Sequence, residues 1–178
     1  MKILYIHGYN GTPHGEKYNK LRQSFPEADI LAPQHDSIPQ NVFHLLDGFA
    51  SGLDAHNDLI VGTSLGGFWA NFFALRYGVR AVLLNPVVSP VKRLNFRDCS
   101  FAADYAAFEN PDASQQRPPA IVLLAEDDDV LPYREALDHF SGACDVRVLK
   151  SGGHRMNDPI SLDVLKVAID DITHLSPE

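Results

Sequence analysis

The sequence predicts an α/β protein with about six mostly parallel strands and helices on both faces of the sheet. Three observations carry this prediction. Short apolar runs of strand length alternate with longer segments of helical spacing. Runs such as Leu59-Ile60-Val61 are apolar at consecutive positions, as strands buried on both faces require. The runs end in Gly, Pro, Asn or acidic turns.

The first run, Ile3 to His7, ends at Gly8 and opens a loop over Tyr9 to Gly15. Glu16 to Phe25 has helical spacing, with Tyr18, Leu21 and Phe25 on one face. Asp29 to Ala32 reads as a second strand. Pro39 opens a helix whose stripe is Val42, Leu45, Leu46, Phe49 and Leu53. Asp58 to Thr63 is a third strand, followed by a helix over Leu65 to Tyr77 that stops at Gly78. Ala81 to Asn85 is a fourth strand. The segment 87–118 is irregular and reads as a cap-like insertion with one or two short helices. A fifth strand at Ala120 to Ala125, a helix at Tyr133 to Phe140, a sixth strand at Asp145 to Leu149 and a helix at Ile160 to Leu175 complete the chain. No internal repeat or linker divides residues 1–178, so one domain is expected.

Composition narrows the function classes. The net charge is −8 and no Lys/Arg cluster forms a basic face, which argues against nucleic acid and anionic lipid as partners. No run approaches the ~20 apolar residues of a membrane helix. The two cysteines, Cys99 and Cys144, form no C-x-x-C and read as free thiols. A cytoplasmic protein is the expectation. The histidines lack zinc-binding spacing, and the acidic run Glu126-Asp127-Asp128-Asp129 lacks the alternation of a calcium loop, so no metal or other cofactor is expected.

Open parallel sheets bind ligands beyond the carboxyl ends of their strands. The loops at that edge contain His7-Gly8-Tyr9-Asn10, Ser64, Asn85-Pro86, Asp127-Asp128-Asp129 and His154. Gly62-Thr63-Ser64-Leu65-Gly66 is a G-x-S-x-G, a pattern that composition alone yields in about one chain in twenty of this length. Its position between a buried strand and an amphipathic helix gives it weight, because a nucleophile elbow needs that setting. Gly62 and Gly66 remove side chains that would collide in the tight turn, and Gly67 lets the helix approach the sheet.

A serine hydroxyl needs a base, and the base needs an anion to fix its tautomer. Of the eight histidines, His154 follows Gly152-Gly153 at the correct sheet edge. His14, His35, His44, His56, His139 and His174 read as surface side chains, and His7 as a structural residue of its loop. The acid should lie between nucleophile and base in chain order. Asp128 is the choice within the acidic run, because Val130 and Pro132 can anchor the loop that follows it. Asp127 and Asp129 are expected to face water. The amides of Leu65 and Tyr9 are expected to form an oxyanion hole, with Asn10 as the alternative to Tyr9 and a candidate substrate contact. Phe68, Trp69 and Phe72 read as core. Phe96, Phe101, Tyr105 and Phe108 are the candidate contacts for an acyl chain.

With these motifs placed, the chain resembles a compact α/β-hydrolase, and more narrowly the small bacterial esterases of the YqiA/YcfP type. The resemblance covers nearly the whole chain. It rests on Tyr5-Ile6-His7-Gly8-Tyr9-Asn10, on Gly62 to Trp69, on Asn85-Pro86 followed by Pro90, on Asp128 to Arg134, and on Gly152-Gly153-His154. It implies esterase activity on short acyl esters, or on thioesters, with Asp128 as the triad acid. The sequence departs from larger esterases in having no H-G-G-G loop, so the resemblance does not assign the second oxyanion donor. The same triad would also serve a thioesterase or peptidase, and the scaffold would also serve a non-catalytic binding protein. An intact Ser/Asp/His set favours the enzyme. The short cap predicts a preference for short acyl chains.

Overall fold

The computed structural model describes residues 1–95, 99–109 and 117–174. Its sheet has six parallel strands in the order β2-β1-β3-β4-β5-β6. These are β1 (Lys2–Ile6), β2 (Asp29–Leu31), β3 (Leu59–Thr63), β4 (Arg80–Leu84), β5 (Ala120–Ala125) and β6 (Asp145–Leu149). The α-helices are α1 (Glu16–Ser24), α2 (Pro39–Ala50), α3 (Leu65–Tyr77), α4 (Pro90–Asn95), α5 (Tyr133–Phe140) and α6 (Pro159–His174). Strand order reverses between β1 and β3. A crevice therefore opens at their carboxyl ends, where the connections leave in opposite directions.

Successive strand residues alternate between two cores, one on each face of the sheet. Leu4, Ile6, Ile60, Leu83, Val122 and Leu124 join residues of α2, α3 and α5. Ile3, Tyr5, Leu59, Val61, Val82, Leu84, Ile121 and Leu123 join Leu21 of α1 and Leu165, Ala168, Ile169 and Ile172 of α6. Both faces are covered, and this accounts for the unbroken apolar runs in the sequence. The stripe of α2 is narrower than its spacing predicts. Val42, Leu46 and Ala50 are buried, whereas Leu45 turns outward.

The described part of segment 87–118 divides in two. α4 borders the crevice through Arg93 and Leu94. The 3-10 helix at Ala102–Ala107 packs with α2 and α4. Its Tyr105 is fully buried, and the hydroxyl donates to the Ser37 carbonyl at 2.9 Å. Phe68, Trp69 and Phe72 are buried beside it, as their spacing on the helix predicts. Among the described residues no helix is long and apolar enough to cross a membrane. Cys144 is a free thiol.

Candidate active site

Ser64 sits between β3 and α3 with φ 55°, a region that costs a non-glycine residue energy and persists only where the surroundings impose it. Here β4 and the chain beyond it impose it. The Ser64 amide donates to the Leu84 carbonyl at 2.9 Å, and the Ser64 carbonyl accepts from the Val87 amide at 3.0 Å. The flanking glycines are required by close approach. A Cβ on Gly62 would lie 2.3 Å from the Gly66 carbonyl oxygen, and one on Gly66 would lie 2.2 Å from the Ile6 carbonyl oxygen. No side chain fits at either position, so α3 can begin directly against the end of β1.

His154 reaches this serine from the loop between β6 and α6. Its Nε2 lies 3.0 Å from Ser64 Oγ. Its Nδ1 lies 2.9 Å from Asp128 Oδ2 and 3.0 Å from Oδ1. A carboxylate only accepts, so Nδ1 carries the proton and Nε2 is left to accept from the serine hydroxyl. The Asp128 side chain is 1% exposed, which fixes it against the imidazole rather than in water. Its Oδ1 also accepts from the amides of Val130 and Leu131, each at 2.8 Å. These two amides hold the carboxylate's orientation.

Two further groups set the histidine loop. Asn85, just past β4 with φ 40°, is buried. Its amide nitrogen donates to the carbonyls of Gly153 and His154 at 3.0 and 3.2 Å, and its oxygen accepts from the Ala125 amide at 2.9 Å. Asn85 thus ties the ends of β4 and β5 to the residue carrying the imidazole. Asp127 Oδ1 accepts from the Gly153 amide at 2.8 Å. Asp127 therefore does not simply face water, as expected from sequence, although its residue is exposed.

The loop after β1 runs alongside Ser64. A Cβ on Gly8 would lie 3.1 Å from Ser64 Cβ and 3.6 Å from its Oγ. Tyr9 and Leu65 both line the cleft above the serine. Leu65 is the first residue of α3, so its N–H has no acceptor within the helix and the positive end of the helix dipole lies there.

This loop rests on a pair of stacked imidazoles. The rings of His7 and His35 are 3.8 Å apart and nearly parallel. His7 Nδ1 donates to the Gly8 carbonyl at 2.9 Å, and Nε2 accepts from the His35 amide at 3.4 Å. His7 is structural, as its place in the loop suggests. His35 is not the surface side chain expected; it is buried under the loop. Burial, with His35 beside it, pushes His7 down to about 4, and burial also holds His35 below the ordinary imidazole value. In the unfolded chain both titrate near ~6.5. The stabilisation from His7 is therefore complete above about pH 6.5 and is lost as pH falls toward about 4, and that from His35 is lost in the same direction, because the unfolded chain takes up protons first. The loss from His7 alone is on the order of 2–3 kcal/mol. Urea midpoints should fall over this range, and the fall should shrink in His7→Gln, which keeps an acceptor for the His35 amide. An equal fall in the variant would contradict the account.

The profile of the family described as "Uncharacterised protein family (UPF0227)" matches residues 2–161. The chain belongs to the UPF0227 family. A UPF0227 protein of Shewanella woodyi is 29% identical over 154 residues, which cover 78% of this chain and 82% of that protein. Two solved structures share the architecture. Alpha/beta hydrolase domain-containing protein 10 from mouse superposes with a TM-score of 0.77 at 16% identity, over 96% of this chain and 88% of its own. Est1E from Butyrivibrio proteoclasticus, solved with ferulic acid bound, gives 0.71 at 15% identity, over 96% and 86%. At these identities the likeness establishes the fold, which is that of the α/β-hydrolases. It agrees with the small bacterial α/β-hydrolases that the motifs resemble.

The site of this UPF0227 chain opens into a cleft of about 1120 Å³. Asn10, a candidate substrate contact, lines it. The described aromatic candidates, Phe101, Tyr105 and Phe108, do not. Tyr105 is in the core, while Phe101 and Phe108 are partly buried and pack against that core. Phe108 lies against Trp69, Phe72 and Phe43. The irregular segment buries these rings because α2 and α3 leave an apolar surface that they complete. Phe96 lies outside the described residues. The apolar lining comes instead from Leu65, Val87, Leu94, Val130 and Leu131. Sequence reasoning assigned no role to Asn85 or to Lys17 of α1, which is buried and lines the cleft. For Lys17 a signal existed, since it lies four residues before Leu21 on the same helical face.

Proposed function

We propose that this chain is a serine hydrolase that cleaves small carboxylic esters by two-step acyl transfer. The observation that carries the reading is the continuous hydrogen-bonded series from Ser64 through His154 to Asp128, at the crevice where strand order reverses. His154 Nε2 takes the Ser64 proton as Oγ attacks the ester carbonyl. The amides of Leu65 and Tyr9 receive the oxyanion. His154 then gives its proton to the leaving alcohol, and the carbon–oxygen bond breaks. A water activated by the same nitrogen hydrolyses the acyl-serine and restores the enzyme. These steps need no cofactor. A thioester presents the same carbonyl to the same groups.

The cleft supports short acyl groups. Few apolar side chains line it, and the rings of Tyr105 and Phe108 pack in or against the core instead of lining it. Across p-nitrophenyl esters of increasing chain length, kcat/KM should be highest for acetate to butyrate and fall for octanoate and longer. Rates that climb with chain length would contradict the short-acyl reading. Hydrolysis of none of them by folded protein would contradict the ester reading.

A further inference from the structure

Lys17 and Arg155 place two positive charges at the wall of the Ser64 cleft. Both residues line that cleft together with Tyr9, Ser64, Leu65 and His154. Lys17 is 5% exposed. Its ammonium donates to the Asn157 side-chain oxygen at 2.7 Å and to the backbone carbonyl of Arg155, and both partners are neutral. The Arg155 residue is exposed. Among the described residues, neither cation has a carboxylate within ion-pair distance. Glu16 and Asp129 also line the cleft and pair with neither of them, while Arg93 is neutralised by Glu135.

An uncompensated buried cation is costly, and a second cation beside it adds to the cost. The effect is visible in Lys17, whose amine is pushed down to about 8 by burial and by the neighbouring Arg155. A lysine needed only to brace the following loop would gain from a carboxylate partner. Two cations held together in the wall of the nucleophile's cleft, with no carboxylate partner among the described residues, leave room for an anion that arrives from outside. Arginine offers a planar fork that matches a carboxylate or phosphate, and lysine adds a point charge.

We propose that Lys17 and Arg155 form a receptor for an anionic group of the substrate, a carboxylate or a phosphate carried on the ester, so that the cleft selects anionic over neutral esters. This inference rests on the hydrolase reading for its kinetic test. It therefore also needs a test independent of turnover.

The kinetic test compares the neutral p-nitrophenyl butyrate with the similarly sized p-nitrophenyl hemisuccinate, and with a phosphonate-bearing propionate ester. In wild type the ratio of kcat/KM, anionic over neutral, should exceed one for at least one of the two anions; which one identifies the group. In Arg155→Gln that ratio should fall about tenfold or more through KM, the worth of one charged partner. A ratio unchanged in R155Q, or a wild-type preference for the neutral ester, would overturn the inference while leaving the hydrolase reading in place. The second measurement is calorimetric titration of wild type and R155Q with succinate and with inorganic phosphate. Wild type should bind one of them more tightly than R155Q, whether or not any ester is cleaved. Equal binding by both proteins, or binding of neither anion, would overturn the receptor.

Discussion

Ser64→Ala is expected to lower kcat on a short ester about a millionfold, to the level of the remaining binding and oxyanion groups. The size follows from chemistry: alanine leaves His154 with no hydroxyl to activate, so no acyl-enzyme forms. The fold should be retained. The Ser64 amide and carbonyl bonds to Leu84 and Val87 are backbone bonds that the substitution leaves intact. The positive φ at this position is common to both residues, so alanine meets the same strain there. The check is kcat of purified variant against wild type, with matching circular dichroism and urea midpoints. Turnover retained above about a thousandth of wild type in a folded variant would remove Ser64 from the mechanism.

Asp128→Asn is expected to lower kcat about 10⁴-fold, far more than Asp127→Asn or Asp129→Asn. Asp128 accepts from His154 Nδ1, and an amide there no longer fixes the tautomer or steadies the imidazolium. The Val130 and Leu131 amides still find an oxygen, so the loop should stay in place. Asp127 contributes through one oxygen that accepts from the Gly153 amide, and asparagine keeps that oxygen. Asp129 is exposed on the cleft, where water and salt screen its charge. Both are expected to lose less than about tenfold in kcat. The three variants should be assayed on one ester at saturating and sub-saturating concentrations. A crippled Asp127→Asn beside an active Asp128→Asn would move the acid to the neighbouring residue.

The sheet was legible because buried parallel strands must be apolar on both faces, and the runs at Leu59-Ile60-Val61 and Ala120 to Ala125 could serve little else. The elbow was legible because close packing of α3 on β3 and on the end of β1 leaves no space for a Cβ at Gly62 or Gly66. His154 followed from its place past two glycines at the right sheet edge. Burial in the irregular segment was not legible. Tyr105 has no periodic neighbours to mark its face, and what buries it, Phe68 and Trp69, is distant in sequence. His35 was read by residue type as a surface group, and Lys17 was given no role. Their burial depends on partners far along the chain, His7 for one and the backbone near Arg155 for the other. Asn85 shows the same limit. Its side chain bridges two strand ends and the histidine loop, a role that exists only once β4 and β5 are paired.

The most direct test of the central claim is the site of reaction with a fluorophosphonate, which forms a covalent bond to a serine oxygen activated by a neighbouring base and loses fluoride. Folded protein should take up one equivalent, and peptide mass spectrometry should place it on Ser64. Labelling should disappear in urea, where His154 no longer meets the hydroxyl. No adduct in the folded protein, or an adduct on any residue other than Ser64, would contradict the account.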